Sequence, residues 1–195
     1  MSTTVMTPDS PASRPLGNAV IKRDLFNAEE CSRLRSLDLP WEDARLSGMD
    51  TDIDANPDAK AAARQLVPLD DGFRWIYERL AGLVQSTNAL GFDIKEIHAP
   101  LKVQRYETGG FHCWHNDIAN PRYRTRKLGI TVQLSPPDSY DAGNFQLFDH
   151  PEPGPIPRDI GCGAIYPAYM VHRVETVTAG VRYSLTAWVI GPPLR

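Results

Sequence analysis

Residues 101–118 read LKVQRYETGGFHCWHNDI, and this stretch decides how the rest of the chain is interpreted. The turn residues 107–110 divide it into two short predicted strands. On a strand, alternate side chains point to the same face, so His115 and Asp117 would project together. An imidazole beside a carboxylate provides two of the three ligands of a 2-His-1-carboxylate metal site. Because a His-x-Asp pair alone is more often the polar end of a strand, the remaining sequence must decide.

Length and composition predict one folded domain preceded by a tail. The chain has 195 residues, of which 42% are hydrophobic and 23% are charged, which is enough apolar material for a packed core. Residues 1–17 are rich in Ser, Thr and Pro and are predicted to be disordered. We expect residues 18–195 to form a single domain, because no internal repeat divides them.

Charge, hydropathy and cysteine usage indicate which binding partners and which cellular compartment the sequence favours. The formal net charge is −3, which gives no support for a nucleic-acid or membrane-binding surface. No apolar run reaches the ~18–20 residues of a membrane span, and no secretory signal is visible. The three cysteines, Cys31, Cys113 and Cys162, are odd in number and widely spaced. This spacing argues against a disulfide framework and favours the reducing cytoplasm.

The first half of the chain predicts two helices. Residues 19–26 can begin with a short strand, and Asn27 with Glu30 then forms a capping-box pattern for a helix that ends near Leu37. Residues 71–90 form the strongest predicted helix, because apolar side chains recur at helical spacing. These side chains are Phe73, Ile76, Tyr77, Leu80, Leu83 and Val84. Such a stripe is typical of a helix packed on the outside of a sheet.

From residue 92 onward the sequence changes to short strands separated by turn residues. The predicted strands are 92–97, 101–107, 111–117, 127–134, 144–148, 164–166, 171–177 and 181–190. About eight short strands after two helices predict a mainly β protein with flanking helices. The specific expectation is a double-stranded β-helix, or jelly roll, with the helices packed on one of its two sheets.

The position of each histidine and of Cys113 on these strands predicts whether its side chain lies at the surface or near the site. His98 and His150 each lie next to a proline-containing turn and are predicted to be surface residues. His112 is out of phase with His115 and is expected to face outward. Cys113 is in phase with His115 and is expected to be a small core residue near the site. His172, in a later predicted strand, is the remaining candidate for a third ligand.

The ordered set His115-x-Asp117…His172…Arg182 resembles the signature of iron(II)- and 2-oxoglutarate-dependent dioxygenases, in particular the prolyl-4-hydroxylase-like branch. The resemblance covers residues 101–193, about half of the chain. It includes Tyr106, Arg126-Lys127-Leu128, Ala142-Gly143-Asn144-Phe145, Ile165-Tyr166-Pro167 and the ending Arg182-Tyr183-Ser184-Leu185…Trp188…Gly191-Pro192-Pro193. It departs at Asn144, where the family often has a second glycine.

The resemblance implies a metal centre and a reaction. His115, Asp117 and His172 would hold Fe(II), leaving three coordination positions for 2-oxoglutarate and O2, with ascorbate as a reductant. The implied reaction is hydroxylation of an unactivated C–H bond in an amino acid, a peptidyl side chain or a related small molecule. The implied partner is therefore a small-molecule or peptide substrate, and no nucleic acid or membrane is expected.

The resemblance also implies a binding site for the cosubstrate. Arg182 is permanently charged and would bind the distal carboxylate of 2-oxoglutarate through a bidentate contact. Ser184 shares a strand face with Arg182 and could donate a second hydrogen bond. Tyr106 resembles the family tyrosine that contacts the cosubstrate, and Gln133 is a further candidate. The alternatives are structural: an ion pair for Arg182, a core ring for Tyr106 and plain packing for Trp188.

Two polar segments are candidates for the substrate-binding surface. Residues 39–58 carry five aspartates, but the glycine and terminal glutamate of a calcium loop are not in place. We interpret this segment as a solvated loop that could fold over a site. The basic run Arg122, Arg124, Arg126 and Lys127 is either a solvated loop or a means of binding an acidic substrate at the mouth of the site.

Three other functions are weighed against the hydroxylase. A non-enzymatic jelly-roll module that binds a metal or ligand is the rival from another class, and the intact triad with Arg182 argues against it. A nucleic-acid dealkylase, judged by the family resemblance, needs a second arginine further along the last strand, and none follows Arg182 before Arg195. A halogenase needs a small residue in place of the carboxylate ligand, and Asp117 is present.

Overall fold

A computed structural model of the chain describes residues 19–44, 60–87, 91–149 and 152–193. The predicted tail at 1–17, residues 45–58 of the polar segment, and His150 lie outside these ranges. In the part of the chain that the structure describes, no helix combines the length and the apolar character that crossing a membrane requires. A single domain over residues 18–195 stays a prediction.

Two β-sheets form the centre of the molecule. The larger sheet runs in the order β1 (Val20–Lys22), β12 (Gly163–Pro167), β8 (Arg126–Gln133), β15 (Arg182–Ile190), β6 (Leu101–Tyr106), β4 (Ala63–Val67) and β2 (Glu42–Asp43), with β5 (Glu96–Ile97) also paired to β15. The smaller sheet runs in the order β11 (Glu152–Pro155), β10 (Phe145–Asp149), β13 (His172–Val174), β7 (Phe111–His115) and β3 (Lys60–Ala61). A separate ribbon pairs β9 (Tyr140–Ala142) with β14 (Val177–Gly180). All of these pairings are antiparallel, so the predicted jelly roll is confirmed.

The two predicted helices are α1 (Ala28–Arg35) and α2 (Arg74–Thr87). The capping box is confirmed, because the Asn27 side chain accepts from the Glu30 backbone N–H and the Glu30 side chain accepts from that of Asn27, at 2.8 and 2.9 Å. Helix α2 begins at Arg74, later than predicted, and the Asp70 side chain accepts hydrogen bonds from the backbone N–H groups of Gly72 and Phe73 in the turn before the helix.

Both helices pack on the outer face of the larger sheet, as predicted. Leu34 of α1 and Ile76 and Leu80 of α2 are fully buried in one cluster with the outward-facing side chains of β15, such as Leu185. Alternation along β15 therefore sends odd-numbered residues toward the helices. The even-numbered residues, beginning with Arg182, face the space between the two sheets.

The structure contains strands that the sequence pattern did not predict. They are β2, β3, β4, β9 and β11. Strand β4 reads ARQLV, and it buries Arg64 and Gln65 in spite of their polarity. Two predicted strands also differ: 92–97 pairs only at Glu96–Ile97, and 171–177 divides into β13 and the start of β14.

Candidate metal and cosubstrate site

Three predicted ligands come together between the sheets. The ligand atoms of His115, Asp117 and His172 all lie within 4.8 Å of one another. His115 ends β7 and is the direct cross-strand partner of His172 in β13, and the two ring centroids are 4.2 Å apart. His172 Nε2 lies 3.8 Å from Asp117 Oδ2. Among the residues that the structure describes, these three form the group of His, Cys, Asp or Glu side chains that could hold a metal ion.

The position of Asp117 has a different origin from the one predicted. Strand β7 ends at His115, and Asp117 lies in the turn that follows it, so strand alternation does not bring the two side chains together. The backbone N–H of Asp117 instead donates to the carbonyl of Ala168, at 2.9 Å, in the segment that leads to His172. The prediction of adjacency is thus confirmed, and the prediction that Asp117 continues the strand is wrong.

The hydrogen bonds around the triad suit a divalent cation. His115 Nδ1 lies 2.8 Å from the carbonyl of Cys113, and His172 Nδ1 lies 2.9 Å from that of Met170. A carbonyl only accepts, so each Nδ1 carries a hydrogen and Nε2 is the ring nitrogen that is left to coordinate a metal. Asp117 Oδ2 is buried and has no hydrogen-bond partner. Two imidazole lone pairs and an orphaned carboxylate oxygen fit Fe(II).

The protonation state of His115 also suits a metal ligand. Burial is the main cause that lowers the pKa of His115 to about 3, and the neighbouring His172 acts in the same direction. The ring is therefore neutral at physiological pH, which is the form that coordinates a metal without first losing a proton.

The predicted orientations of His112 and Cys113 are wrong, and a β-bulge is the reason. His172 pairs with His115 and Val174 pairs with His112, so a two-residue step on β13 faces a three-residue step on β7. The extra residue changes the phase of alternation. The His112 ring stacks on that of His115, with centroids 3.6 Å apart. Cys113 is exposed and is not a core residue, but it lines the same cavity as the triad, so its predicted nearness to the site is confirmed.

Arg182 lies where the sequence pattern predicts, on the inner face of the larger sheet. Its side chain is 0% exposed. Nη2 donates to Gln133 Oε1 at 2.9 Å, Nη1 donates to Ser184 Oγ at 3.3 Å, and the guanidinium carbon lies 5.4 Å from the centroid of the Tyr106 ring. These partners are all neutral. Because a buried charge without a counterion costs free energy, the surroundings of Arg182 favour binding of an anion.

A chain of side-chain hydrogen bonds continues from Tyr106. The Tyr106 hydroxyl donates to Gln104 Oε1 at 3.0 Å, and Gln104 Nε2 donates to Thr186 Oγ1 at 2.8 Å. Burial raises the pKa of Tyr106 to about 12, so its hydroxyl keeps its hydrogen. Sequence reasoning missed Gln104 and Thr186. Strand alternation could have identified both residues, since they lie in phase with Tyr106 and Arg182 on paired strands.

A cavity of about 150 Å³ connects the triad with both sheets. Tyr106 and Ser184 line it on one side, and Arg126 and Trp188 line it on another. Arg126 is buried, with its guanidinium carbon 3.6 Å from the Tyr123 ring centroid and 3.9 Å from that of Trp188. Trp188 therefore contributes to the cavity wall in addition to the packing that its sequence context favoured.

The other residues singled out in the sequence fall outside this cavity or at its edge. His98 is exposed, as predicted, while Cys31 and Cys162 are buried. The basic run divides: Arg122 and Arg124 are exposed, and Arg126 and Lys127 are buried at the start of β8. The interpretation as a solvated loop therefore holds only for the first half of the basic run.

A jelly roll with two imidazoles and one carboxylate gathered between its sheets defines the class of non-haem iron(II) oxygenases. Residues 101–190 match the 2OG-Fe(II) oxygenase superfamily. A "PKHD-type hydroxylase" of Verminephrobacter eiseniae is 31% identical over 183 residues, which cover 87% of this chain and 77% of that protein. The chain belongs to the 2OG-Fe(II) oxygenase superfamily. Further PKHD-type hydroxylases match over only 41 to 44% of their own length.

Solved structures support the fold. A Pseudomonas putida prolyl-4-hydroxylase has a TM-score of 0.67 at 17% identity, with 90% of this chain and 93% of that chain covered. A Trichoplax adhaerens prolyl hydroxylase, solved in complex with a hypoxia inducible factor oxygen degradation domain peptide fragment, has a TM-score of 0.68 at 15% identity, with 89% and 84% covered. The protein is thus a 2-oxoglutarate-dependent dioxygenase that uses Fe(II) and O2.

Proposed function

We propose that His115, Asp117 and His172 hold Fe(II), that Arg182 anchors 2-oxoglutarate, and that the enzyme hydroxylates a C–H bond of an amino-acid or peptide substrate. The observation that carries the proposal is the presence of two groups between the sheets, since Ser184 and Tyr106, which contact Arg182, line the cavity that the triad also lines. An orphaned carboxylate oxygen lies beside two imidazoles, and a fully buried guanidinium lies among neutral partners. A metal ion satisfies the first group, and a dicarboxylate satisfies the second.

The chain's own residues prepare the metal ligands. The backbone carbonyls of Cys113 and Met170 accept from the Nδ1–H groups, which directs each Nε2 toward the shared space. The Asp117 turn is held from both sides: its N–H donates to Ala168, and its carbonyl accepts from Arg126 Nη1 at 3.2 Å. Fe(II) bound here would supply O2 activation coupled to the conversion of 2-oxoglutarate to succinate and CO2.

The cosubstrate site would be formed by Arg182, Ser184, Tyr106 and Gln133. A carboxylate accepts hydrogen bonds only, so each side chain must present a donor to it. Arg182 can do so directly, Ser184 has one rotatable hydrogen, and Tyr106 can do so once its hydroxyl hydrogen turns away from Gln104. Gln133 accepts from Arg182 and so fixes the orientation of the guanidinium. We therefore assign Gln133 to positioning Arg182, and the other three to direct contact.

The substrate would enter beside residues 120–126. Asn120, Tyr123 and Arg126 line the cavity, and so do Ala44 and Lys60, which flank residues 45–59. Loops that border a rigid barrel commonly carry the binding surface. The names of the two similar solved structures point to a prolyl side chain as the first candidate. The free cysteines among the described residues are compatible with a cytoplasmic location, which stays a prediction.

Mass spectrometry of reaction mixtures tests the proposal. The protein is incubated with Fe(II), 2-oxoglutarate, O2 and a panel of amino acids and proline-containing peptides. We expect at least one product that is heavier by one oxygen atom, with formation that requires both Fe(II) and 2-oxoglutarate. Oxygen incorporation that persists after metal removal, or that ignores 2-oxoglutarate, would contradict the proposed function.

A further inference from the structure

Aromatic rings pack differently around the two histidines of the triad. His172 is 4% exposed, and the ring centroids of Phe145 and Tyr166 lie 5.4 and 4.9 Å from that of His172. His115 is only half-buried, and among the described residues the rings that contact it are those of His112 and His172. The wall that Phe145 and Tyr166 form beside His172 therefore has its counterpart beside His115 in a single residue, His112.

The β-bulge in β7 brings His112 to this position. His112 and His115 are three positions apart, so regular alternation would send their side chains to opposite faces of the sheet. The pairing of β7 with β13 shifts between these two residues, and both of them line the cavity. A bulge next to an active site commonly changes the direction in which a side chain points. Here it adds a ring to the candidate metal site.

The two rings lie face to face. Their centroids are 3.6 Å apart, and the angle between their planes is 26°. The lone pair of an imidazole nitrogen lies in the plane of the ring, so a neighbour that covers the face leaves Nε2 of His115 able to coordinate a metal. Among the described residues, the group that could hold a metal ion is His115, Asp117 and His172. His112 thus lies against a ligand and is not one itself.

The stack restricts a motion that the hydrogen bond of His115 permits. Nδ1 of His115 lies 2.8 Å from the carbonyl of Cys113, which fixes one atom of the ring. A ring that is held at one atom can still swing about that atom, and the swing moves Nε2 away from the other two ligands. Contact across the ring face opposes this motion, because packing locks the rotamer of the ligand. A hydrogen bond and a stacked ring together define the position of Nε2.

We propose that His112 is a positioning residue for the metal site, whose ring stacks on His115 and holds Nε2 of His115 in place before the ion binds. This role needs a flat ring and not its nitrogens, so phenylalanine should replace His112 and leucine should not. The inference rests on the metal assignment made in the proposed function. It extends that function by giving the bulge in β7 a purpose.

Binding of Co(II) tests the role of His112 without turnover. Co(II) takes the same nitrogen and carboxylate ligands as Fe(II), and its visible absorption spectrum reports the geometry of those ligands. His112→Leu removes the flat ring, and it should weaken Co(II) binding about three- to tenfold, the range that a stacked aromatic pair contributes. The spectrum should change as well. His112→Phe should restore both the affinity and the spectrum.

His98→Leu is the matched control for these titrations. His98 is an exposed histidine that does not line the cavity, so this variant should bind Co(II) with the affinity and the spectrum of the wild type. Wild-type affinity and spectrum in His112→Leu overturn the inference. Equal losses in His112→Leu and His112→Phe also overturn it, because the ring nitrogens would then be what matters.

Nuclear magnetic resonance of the metal-free protein tests the stack even if His112→Leu does not fold. The chain has five histidines, and the ring C–H signals of His115 can be assigned by their loss in His115→Gln. A ring stacked on His115 shifts these signals upfield from their usual positions. We expect this upfield shift in the wild type and in His112→Phe. His115 signals at their usual positions in the wild type overturn the inference.

Succinate formation from 2-oxoglutarate separates this inference from the proposed function. If succinate forms but His112→Leu binds Co(II) as the wild type does, the role of His112 is wrong and the proposed function stands. If the His112 variants behave as expected but no succinate forms with Fe(II), 2-oxoglutarate and O2, the proposed function is wrong and the role of His112 stands. A wild-type protein that binds no Co(II) contradicts the metal assignment on which both rest.

Discussion

The two sheets contribute to the site in different ways. The larger sheet supplies Arg182, Ser184 and Tyr106 from regular paired strands, and their positions follow from simple alternation. The smaller sheet supplies His115 and His172 next to a β-bulge, and Asp117 comes from the turn beyond the strand. Regular backbone thus forms the proposed anion site, and irregular backbone forms the candidate metal site.

The difference has an energetic consequence. In the larger sheet several neutral side chains share the contacts around Arg182, so the loss of one leaves the others in place. In the smaller sheet each histidine of the triad is oriented by a single backbone hydrogen bond, and the triad is the whole set of candidate metal ligands among the described residues. We therefore expect that substitution of a triad residue abolishes metal binding and turnover, whereas substitution of a residue in the larger sheet reduces cosubstrate binding in part.

The largest effect is expected from the metal ligands. His172→Ala should reduce iron affinity and turnover by more than about a hundredfold, because even outer-shell partners of a metal site cost 10–100-fold. Iron content after dialysis and the turnover rate measure both quantities. His98→Ala is the control, since His98 is an exposed histidine that does not line the cavity. If His172→Ala retained wild-type activity, the assignment of the third ligand would be wrong.

Replacement of Arg182 should give the next largest effect. Arg182→Met removes a charged contact and should cost about 2–5 kcal/mol of 2-oxoglutarate binding. Arg182→Lys should show a partial defect, because the charge stays while the planar fork is lost. Titration of the Fe(II)-loaded protein with 2-oxoglutarate gives both Kd values, and iron affinity should stay unchanged. An unaltered Kd in Arg182→Met would redirect the search to Lys102 or Lys127.

A smaller effect is expected at Gln104. To contact a carboxylate, Tyr106 must release the hydrogen that it now donates to Gln104, and a rotation of the Gln104 amide allows this because Thr186 can donate as well as accept. Gln104→Glu retains the shape but can only accept, so it should hold the hydrogen of Tyr106. We predict a KM for 2-oxoglutarate raised about tenfold with kcat nearly kept. A KM unchanged in Gln104→Glu but raised in Tyr106→Phe would contradict this role.

The contrast between the sheets also explains what the sequence could predict. Period-two alternation places Arg182, Ser184 and Gln133 correctly, because β8 and β15 are regular where these residues lie. The same rule fails for His112 and Cys113, because nothing in FHCWH marks a bulge. Strand β4 was missed because its buried residues include polar ones, whose partners come from distant parts of the chain.

The loss of folding stability at alkaline pH should reveal the raised pKa of Tyr106, and we expect this effect to be the smallest of those predicted here. Its pKa is about 12 in the folded chain, against about 10 for an unfolded tyrosine. The unfolded chain loses this proton first, so the stabilising contribution is complete below about pH 10 and is lost as the pH rises toward about 12. Urea unfolding at about pH 9 and about pH 11 should show a steeper decline for the wild type than for Tyr106→Phe. Equal declines in the two proteins would show that the pKa of Tyr106 is not raised in the folded chain.

Succinate formation from 2-oxoglutarate tests the central claim most directly, because it requires Fe(II), the cosubstrate anchor and O2 together and needs no knowledge of the primary substrate. We predict that the wild-type protein forms succinate with Fe(II) and O2, that a chelator abolishes this, and that Asp117→Ala abolishes it while the His98→Ala control does not. A wild-type protein that forms no succinate, or an Asp117→Ala protein that forms it at the wild-type rate, would contradict the account.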